Sequence, residues 1–210
     1  MIRSKEFDEF YSTLPANVQN KVKYAMNIIA DVKVVNTKLV KKLIDSDFYE
    51  LRISVGNEYR VILFTIDHEN FIEAEQILLL NGFYEEVDER LQEGNTKGRT
   101  NINQNATMRP KIDINKLKHL PTTEDMLTSE YGAKGTVSRE EFDAKSRAWY
   151  YAEVLKNARK AAGITQQQLA QKIGKKREYV AMLEKGETDM QLSTFIMISE
   201  AVGLKFALTY

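Results

Sequence analysis

The stretch at residues 164–186 constrains this chain more than any other. Thr165 is followed three residues later by Gln168, a pairing in which hydroxyl and amide each satisfy an orphan N–H at a helix start. Leu169, Ala170 and Ile173 then fall on one helical face, and the small Ala170 lets a second helix cross closely. Gly174 ends the first helix, because a left-handed turn costs glycine no Cβ clash. A second helix is expected from about Lys176 to Lys185, burying Val180 and Leu183 and stopping at Gly186. The pattern specifies two short helices joined by a tight turn. The plainer reading is an ordinary helical hairpin carrying a solvated lysine run.

Thr165-Gln166, Leu169-Ala170, the Gly174 turn, Tyr179-Val180 and the run Leu183-Glu184-Lys185-Gly186 resemble the Cro/repressor-type helix-turn-helix of HigA-type antitoxins and phage repressors. The resemblance extends from about Ala152 to Gly203. It implies that the second helix enters the major groove with its N-terminal residues at the bases. Lys175, Lys176, Arg177 and Tyr179 would then face DNA, with Gln166 touching a phosphate. Lys176 stands where a Ser or Thr cap is usual, and Ala181-Met182 where the family has a polar pair.

The remainder of the chain fits a protein of more than one part. The 210 residues carry zero net charge, but residues 1–93 hold 11 Lys/Arg against 17 Asp/Glu, and residues 94–210 hold 19 against 13. The half with the helix-turn-helix pattern is therefore the basic one, as a DNA ligand requires. The absence of cysteine excludes disulfides and thiolate metal sites and suits a reducing compartment. No apolar run reaches the length of a membrane span. Met1 to Ser4 leads directly into a polar helix rather than a leader, so a cytoplasmic location is expected.

In the first half, Phe7, Phe10, Tyr11 and Leu14 predict a helix over residues 4–14, with Ser4 as cap. Pro15 opens a longer helix whose face is Val18, Val22, Ala25, Ile29 and Val32. Alternation at Tyr49, Leu51, Ile53 and Val55 predicts a half-buried strand over residues 48–55. Gly56-Asn57 is a hairpin signal. A second strand is expected over residues 59–66, a turn at 67–70, and a third strand over 71–80 that Asn81-Gly82 ends. Two helices followed by an antiparallel meander make an α+β domain.

The set Tyr49-Glu50-Leu51-Arg52, Gly56, Tyr59-Arg60-Val61 and Leu78-Leu79-Leu80-Asn81-Gly82-Phe83 is similar to the RelE/HigB superfamily of toxins, small ribosome-dependent mRNA endonucleases. In HigB/HigA operons the toxin gene precedes the antitoxin gene, the order of the two resemblances here. The likeness implies metal-independent RNA cleavage by 2′-hydroxyl attack, with Arg60 and Arg52 as catalytic cations and no cofactor. Lys41 and Lys42 would bind rRNA or message phosphates. A second reading pairs Arg52 and Arg60 with Glu50, Glu58 or Glu73 across the sheet and leaves both lysines solvated. Residues 85–89 are acidic where the family continues with lysines.

Residues 92–107 are almost without apolar side chains and read as a flexible linker. Met108-Arg109-Pro110-Lys111 then looks like a fresh start, as though two proteins had been joined. Ile112, Ile114, Leu117, Leu120, Met126, Leu127 and Tyr131 make an amphipathic arm suited to wrapping the first half, or else a loosely packed interdomain segment. Ser138 to Glu141 is read as a capping box for a long helix, and residues 191–202 as the last helix. An alternating strand is expected over 204–210, where pairing with a second copy would give a homodimer.

The expected organisation is a RelE/HigB-like α+β domain at residues 1–91 and a polar linker at 92–108. An antitoxin arm at 109–137 and an all-α, Cro/repressor-like helix-turn-helix domain at 138–210 follow. The function expected is a toxin–antitoxin fusion whose antitoxin half binds operator DNA, represses transcription and silences an endonuclease acting on ribosome-bound mRNA. The alternative is a DNA-binding transcription regulator whose toxin-like half is an inactive interaction module.

Overall fold

The structure is a computed structural model and describes residues 1–32, 35–85, 112–186 and 188–205. The expected linker, the acidic residues 86–89 and most of the expected terminal strand lie outside the described residues. The chain forms two compact units, residues 1–139 and 140–210.

In the first unit, a short strand β1 (Ile2–Arg3) precedes α1 (Lys5–Thr13) and α2 (Ala16–Asp31). Strands β2 (Val40–Lys42), β3 (Phe48–Val55), β4 (Asn57–Thr65) and β5 (Ile77–Glu85) follow. They form one five-stranded sheet in the order β1-β5-β4-β3-β2, antiparallel except for the parallel β1–β5 pair. Ser4 caps α1 as expected, its oxygen accepting from the Phe7 N–H at 3.1 Å. The residues before it are not helical: Ile2 and Arg3 pair with Leu78 and Leu79.

β5 also differs from the expected third strand. Residues 71–76 form a loop because the Asp67 carboxylate accepts from the N–H groups of Glu75 and Gln76, at 2.9 and 3.0 Å. The Tyr49 hydroxyl pins the same loop, donating to the Glu69 carbonyl and accepting from the Phe71 N–H. At its other end β5 runs through Asn81-Gly82 instead of stopping there. Gly82 faces the Phe10 ring so closely that a Cβ would sit 2.1 Å from a ring carbon. A glycine that reads as a terminator is thus a strand residue that makes room for α1.

A second set of elements closes this unit: α3 (Ile114–Leu117), α4 (Thr123–Tyr131) and the opening residues of α5 (Val137–Ala161). Leu117 packs with Phe64 and Leu78 on the sheet, flanked by Ile2, Phe48, Ile112 and Leu120. The chain then borders β1, with Arg3 N–H donating to the Pro121 carbonyl and Thr123 N–H to the Met1 carbonyl. Thr122 and Asp125 form a reciprocal cap on α4. The Lys23 ammonium, 4% exposed, donates to the Glu130 carboxylate and to the Tyr131 hydroxyl. Burial pushes the nearby Tyr11 phenol up to about 12. The arm is therefore a packed part of the first unit. Ser138 is not a cap: it lies inside α5, and its hydroxyl donates to the Tyr131 carbonyl at 2.5 Å. Arg139, 1% exposed, holds Glu124 through two 3.0 Å bonds.

The second unit contains most of α5, then α6 (Gln166–Lys172), α7 (Arg177–Lys185) and α8 (Leu192–Ala201). Leu155, Leu169, Ala170, Ile173, Val180, Leu183, Ile198 and Val202 form its core. Ala170 is fully buried, consistent with a close approach of α6 and α7.

Candidate nucleic-acid interface

α6 and α7 owe their geometry to local chemistry. The Thr165 hydroxyl accepts from Gln168 N–H at 3.1 Å, and the Gln168 side chain accepts from Thr165 N–H at 2.8 Å. Gly174 has φ +66°, and the following N–H, that of Lys175, returns to the Ala170 carbonyl at 2.9 Å. This closes the turn and sends α7 off at an angle. Gly186, at φ +67°, ends α7 against the Trp149 backbone.

Beneath the turn lies an ion pair that pattern reading missed. Arg159, 8% exposed, binds both carboxylate oxygens of Glu184, itself 7% exposed, and donates to the Ile164 carbonyl at 2.6 Å. Gln166 donates to the same carboxylate at 2.8 Å. Three elements, α5, the start of α6 and the end of α7, thus converge on one anion. Gln166, expected at a phosphate, has its amide nitrogen tied to Glu184, and the side chain is half-buried. The only signal in the sequence is Glu184 falling on the buried side of α7.

Lys175, Lys176 and Arg177 are exposed at the N-terminal end of α7. Lys176 occupies the cap position without a capping side-chain bond, since an ammonium has no acceptor to offer the first-turn N–H groups. Its backbone still adopts the extended cap conformation, φ −81° and ψ 151°. Tyr179 is half-buried against the core, and Lys175 lies 5.7 Å from its ring centroid. The structure thus brings three cations to one helix start, the end whose dipole also favours anions.

The second candidate is on the sheet. Arg52 and Arg60 are direct cross-strand partners, and Glu50 lies two residues from Arg52 on the same face. Glu50, 5% exposed, accepts from Arg52 Nε at 2.5 Å and from Arg60 Nη1 at 2.6 Å. Arg60 Nη2 reaches Glu85 at 3.1 Å, while its Nε is buried and has no hydrogen-bond partner among the described residues. Burial alone would lower the Arg60 pKa, but the Glu50 and Glu85 carboxylates outweigh it and hold the value above the ordinary one. Both arginines expected to act on RNA are therefore paired, with Glu50 at the hub. Lys41 pairs in register with Glu50 and so shares this face; Lys42 pairs with Tyr49 on the opposite face, 5.9 Å from its ring centroid. Arg60 and Phe64 are four residues apart on β4, so the apolar patch that Leu117 covers is on the arginine face too.

The Helix-turn-helix family model matches residues 155–208. No curated protein matches the chain. The C-terminal region is a helix-turn-helix DNA-binding domain, and the protein is a DNA-binding transcription regulator on that ground. The N-terminal region is a five-stranded sheet with helices. Among the described residues no helix is long and apolar enough to cross a membrane.

Replacing Lys176 or Arg177 with alanine is expected to weaken duplex binding and leave the thermal unfolding midpoint unchanged. Each lost phosphate contact lowers the slope of log affinity against log salt by about 0.9. A salt titration of binding by fluorescence anisotropy checks this.

Proposed function

We propose that the chain is a toxin–antitoxin fusion of the RelE/HigB and HigA kinds. Its helix-turn-helix domain binds operator DNA and represses transcription, as a homodimer. Its N-terminal α+β domain is a ribosome-dependent mRNA endonuclease kept silent by the arm that follows it. The observation that carries this reading is Leu117, which packs on Phe64 and Leu78 on the face that bears Arg52 and Arg60. A covalent tether puts such an arm at an effective concentration of roughly millimolar, so modest intrinsic affinity suffices for inhibition.

In this reading the 2′-oxygen of the message attacks its phosphorus and the 5′-oxygen leaves, taking a proton from water, to give a 2′,3′-cyclic phosphate and a 5′-hydroxyl. Arg52 and Arg60 stabilise the charge that gathers on the phosphoryl oxygens. Glu50 is the carboxylate we assign to the 2′-hydroxyl proton, and Lys41 the phosphate ligand beside it. Substrate must first displace the Glu50–arginine bonds. That requirement favours a second reading, in which the sheet is a silent interaction module and the ion pairs are structural. The pairing of Arg60 with two carboxylates is the observation on that side.

Cell-free translation with the full chain separates the two. Wild type is expected to leave translation intact. Leu117→Asp, which puts a charge into the apolar contact, is expected to arrest translation with message cut on the ribosome. Leu117→Asp combined with Arg60→Ala is expected to restore it. Should Leu117→Asp expose the arm to protease and still leave translation untouched, the second reading holds.

A further inference from the structure

α7 has a sharply divided surface. Val180, Leu183 and Glu184 are buried. With 3.6 residues per turn, Glu178 and Met182 project from the side opposite those three, one above the other. Arg177 and Ala181 occupy one flank, and Tyr179 the other, where its ring meets the core. Glu178 is exposed, and among the described residues its side chain makes no hydrogen bond or ion pair. Met182 is 43% exposed. A carboxylate close to a helix start intended for phosphates repels the backbone of its ligand unless base donors repay it.

The major groove offers each of these side chains one good partner. A carboxylate can only accept. Cytosine presents an N4 amino group to it, whereas adenine sets the N7 acceptor beside its own amino group. A thioether side chain recognises apolar surface, and the C5-methyl of thymine is the apolar group in the groove.

We propose that Glu178 and Met182 set the base preference of this domain, Glu178 accepting from a cytosine amino group and Met182 packing on a thymine methyl. One helical turn advances about 5.4 Å and stacked bases about 3.4 Å, so the two bases lie within about two base pairs of each other. Lys175, Lys176 and Arg177 supply affinity and orientation at the helix start; the outward stripe supplies choice. This inference rests on α7 being the helix that enters the groove.

The test is selection of bound sequences from a randomised duplex library by the full chain, as wild type, Glu178→Gln and Met182→Gln. Both side chains are exposed, so the core is unaffected. Wild type is expected to enrich a half-site holding a cytosine and a thymine at that spacing. Glu178→Gln is expected to convert the cytosine position to adenine, which glutamine matches, with a change in preference of about tenfold. Met182→Gln is expected to replace the thymine preference by one for adenine, a several-fold change. The salt dependence of binding stays as in wild type for Met182→Gln, since no phosphate contact is lost. A wild-type motif that neither variant alters overturns the base assignment and leaves DNA binding intact. Failure of the wild-type chain to retain any duplex, even at low salt, removes the DNA-binding reading and the assignment with it.

Discussion

Arg159→Ala is expected to destabilise the helix-turn-helix domain by about 3–5 kcal/mol, the cost of leaving a buried carboxylate without its counter-ion. Among the described side chains Glu184 would keep Gln166 alone as a donor, and the Ile164 carbonyl would lose its 2.6 Å bond as well. Since α5, α6 and α7 meet at this pair, operator binding should fall together with the unfolding temperature. Arg159→Lys should recover part of the loss, because an ammonium restores charge but cannot form the two-pronged contact. Replacing both partners, Arg159→Met with Glu184→Leu, should cost far less than either single change, because no charge is left buried. Thermal unfolding followed by circular dichroism checks the series. Equal losses for the single and double variants would mean that packing, and not the uncompensated charge, dominates.

Phe64→Ala is expected to cost the N-terminal unit about 3–5 kcal/mol. Phe64 is 1% exposed, packs at a tilt against Phe48 with ring centroids 5.5 Å apart, and forms the floor on which Leu117 rests. Its loss leaves a cavity under the arm as well as in the sheet. The urea midpoint should fall, and protease cleavage within residues 112–131 should accelerate before the sheet itself unfolds. Phe64→Leu, which keeps most of the volume, should lose much less. Cleavage of the arm at the wild-type rate in Phe64→Ala would show that the arm is held chiefly by other contacts, with the Lys23–Glu130 pair and the bridge at β1 as the candidates.

The parts of the molecule that could be read in advance are those whose causes lie close together in the chain. The Thr165–Gln168 cap, the Gly174 turn and the apolar spacing from Leu169 to Leu183 all act within one or two helical turns, and they appear as expected. The same holds for β3, whose period-2 alternation gives its limits, Phe48–Val55, directly. Ser138 shows the limit of such reasoning. Its local pattern is that of a cap, but its hydroxyl goes to Tyr131, seven residues back, once α4 is in place.

The sheet's edge and its candidate site depended on distant partners. Ile2 and Arg3 carry no strand signal by themselves, and they extend because β5 offers them a ladder 76 residues away. Gly82 looked like the end of a strand because a glycine's local meaning is a turn. Only the Phe10 ring, brought in by α1, explains a strand that continues through it. Arg52 and Arg60 were identifiable as a pair on one face, but which carboxylate would hold them was not. Register placed Glu50 between both, and the depth of burial made it the hub. By itself, the sequence determined the two-helix DNA-binding unit, whose hydrogen bonds and apolar face close within a short segment. Tertiary structure alone decided that Leu117 packs on the arginine face and that Arg159 anchors Glu184. Those outcomes depend on contacts between residues far apart in the chain, and no local pattern encodes a partner's position.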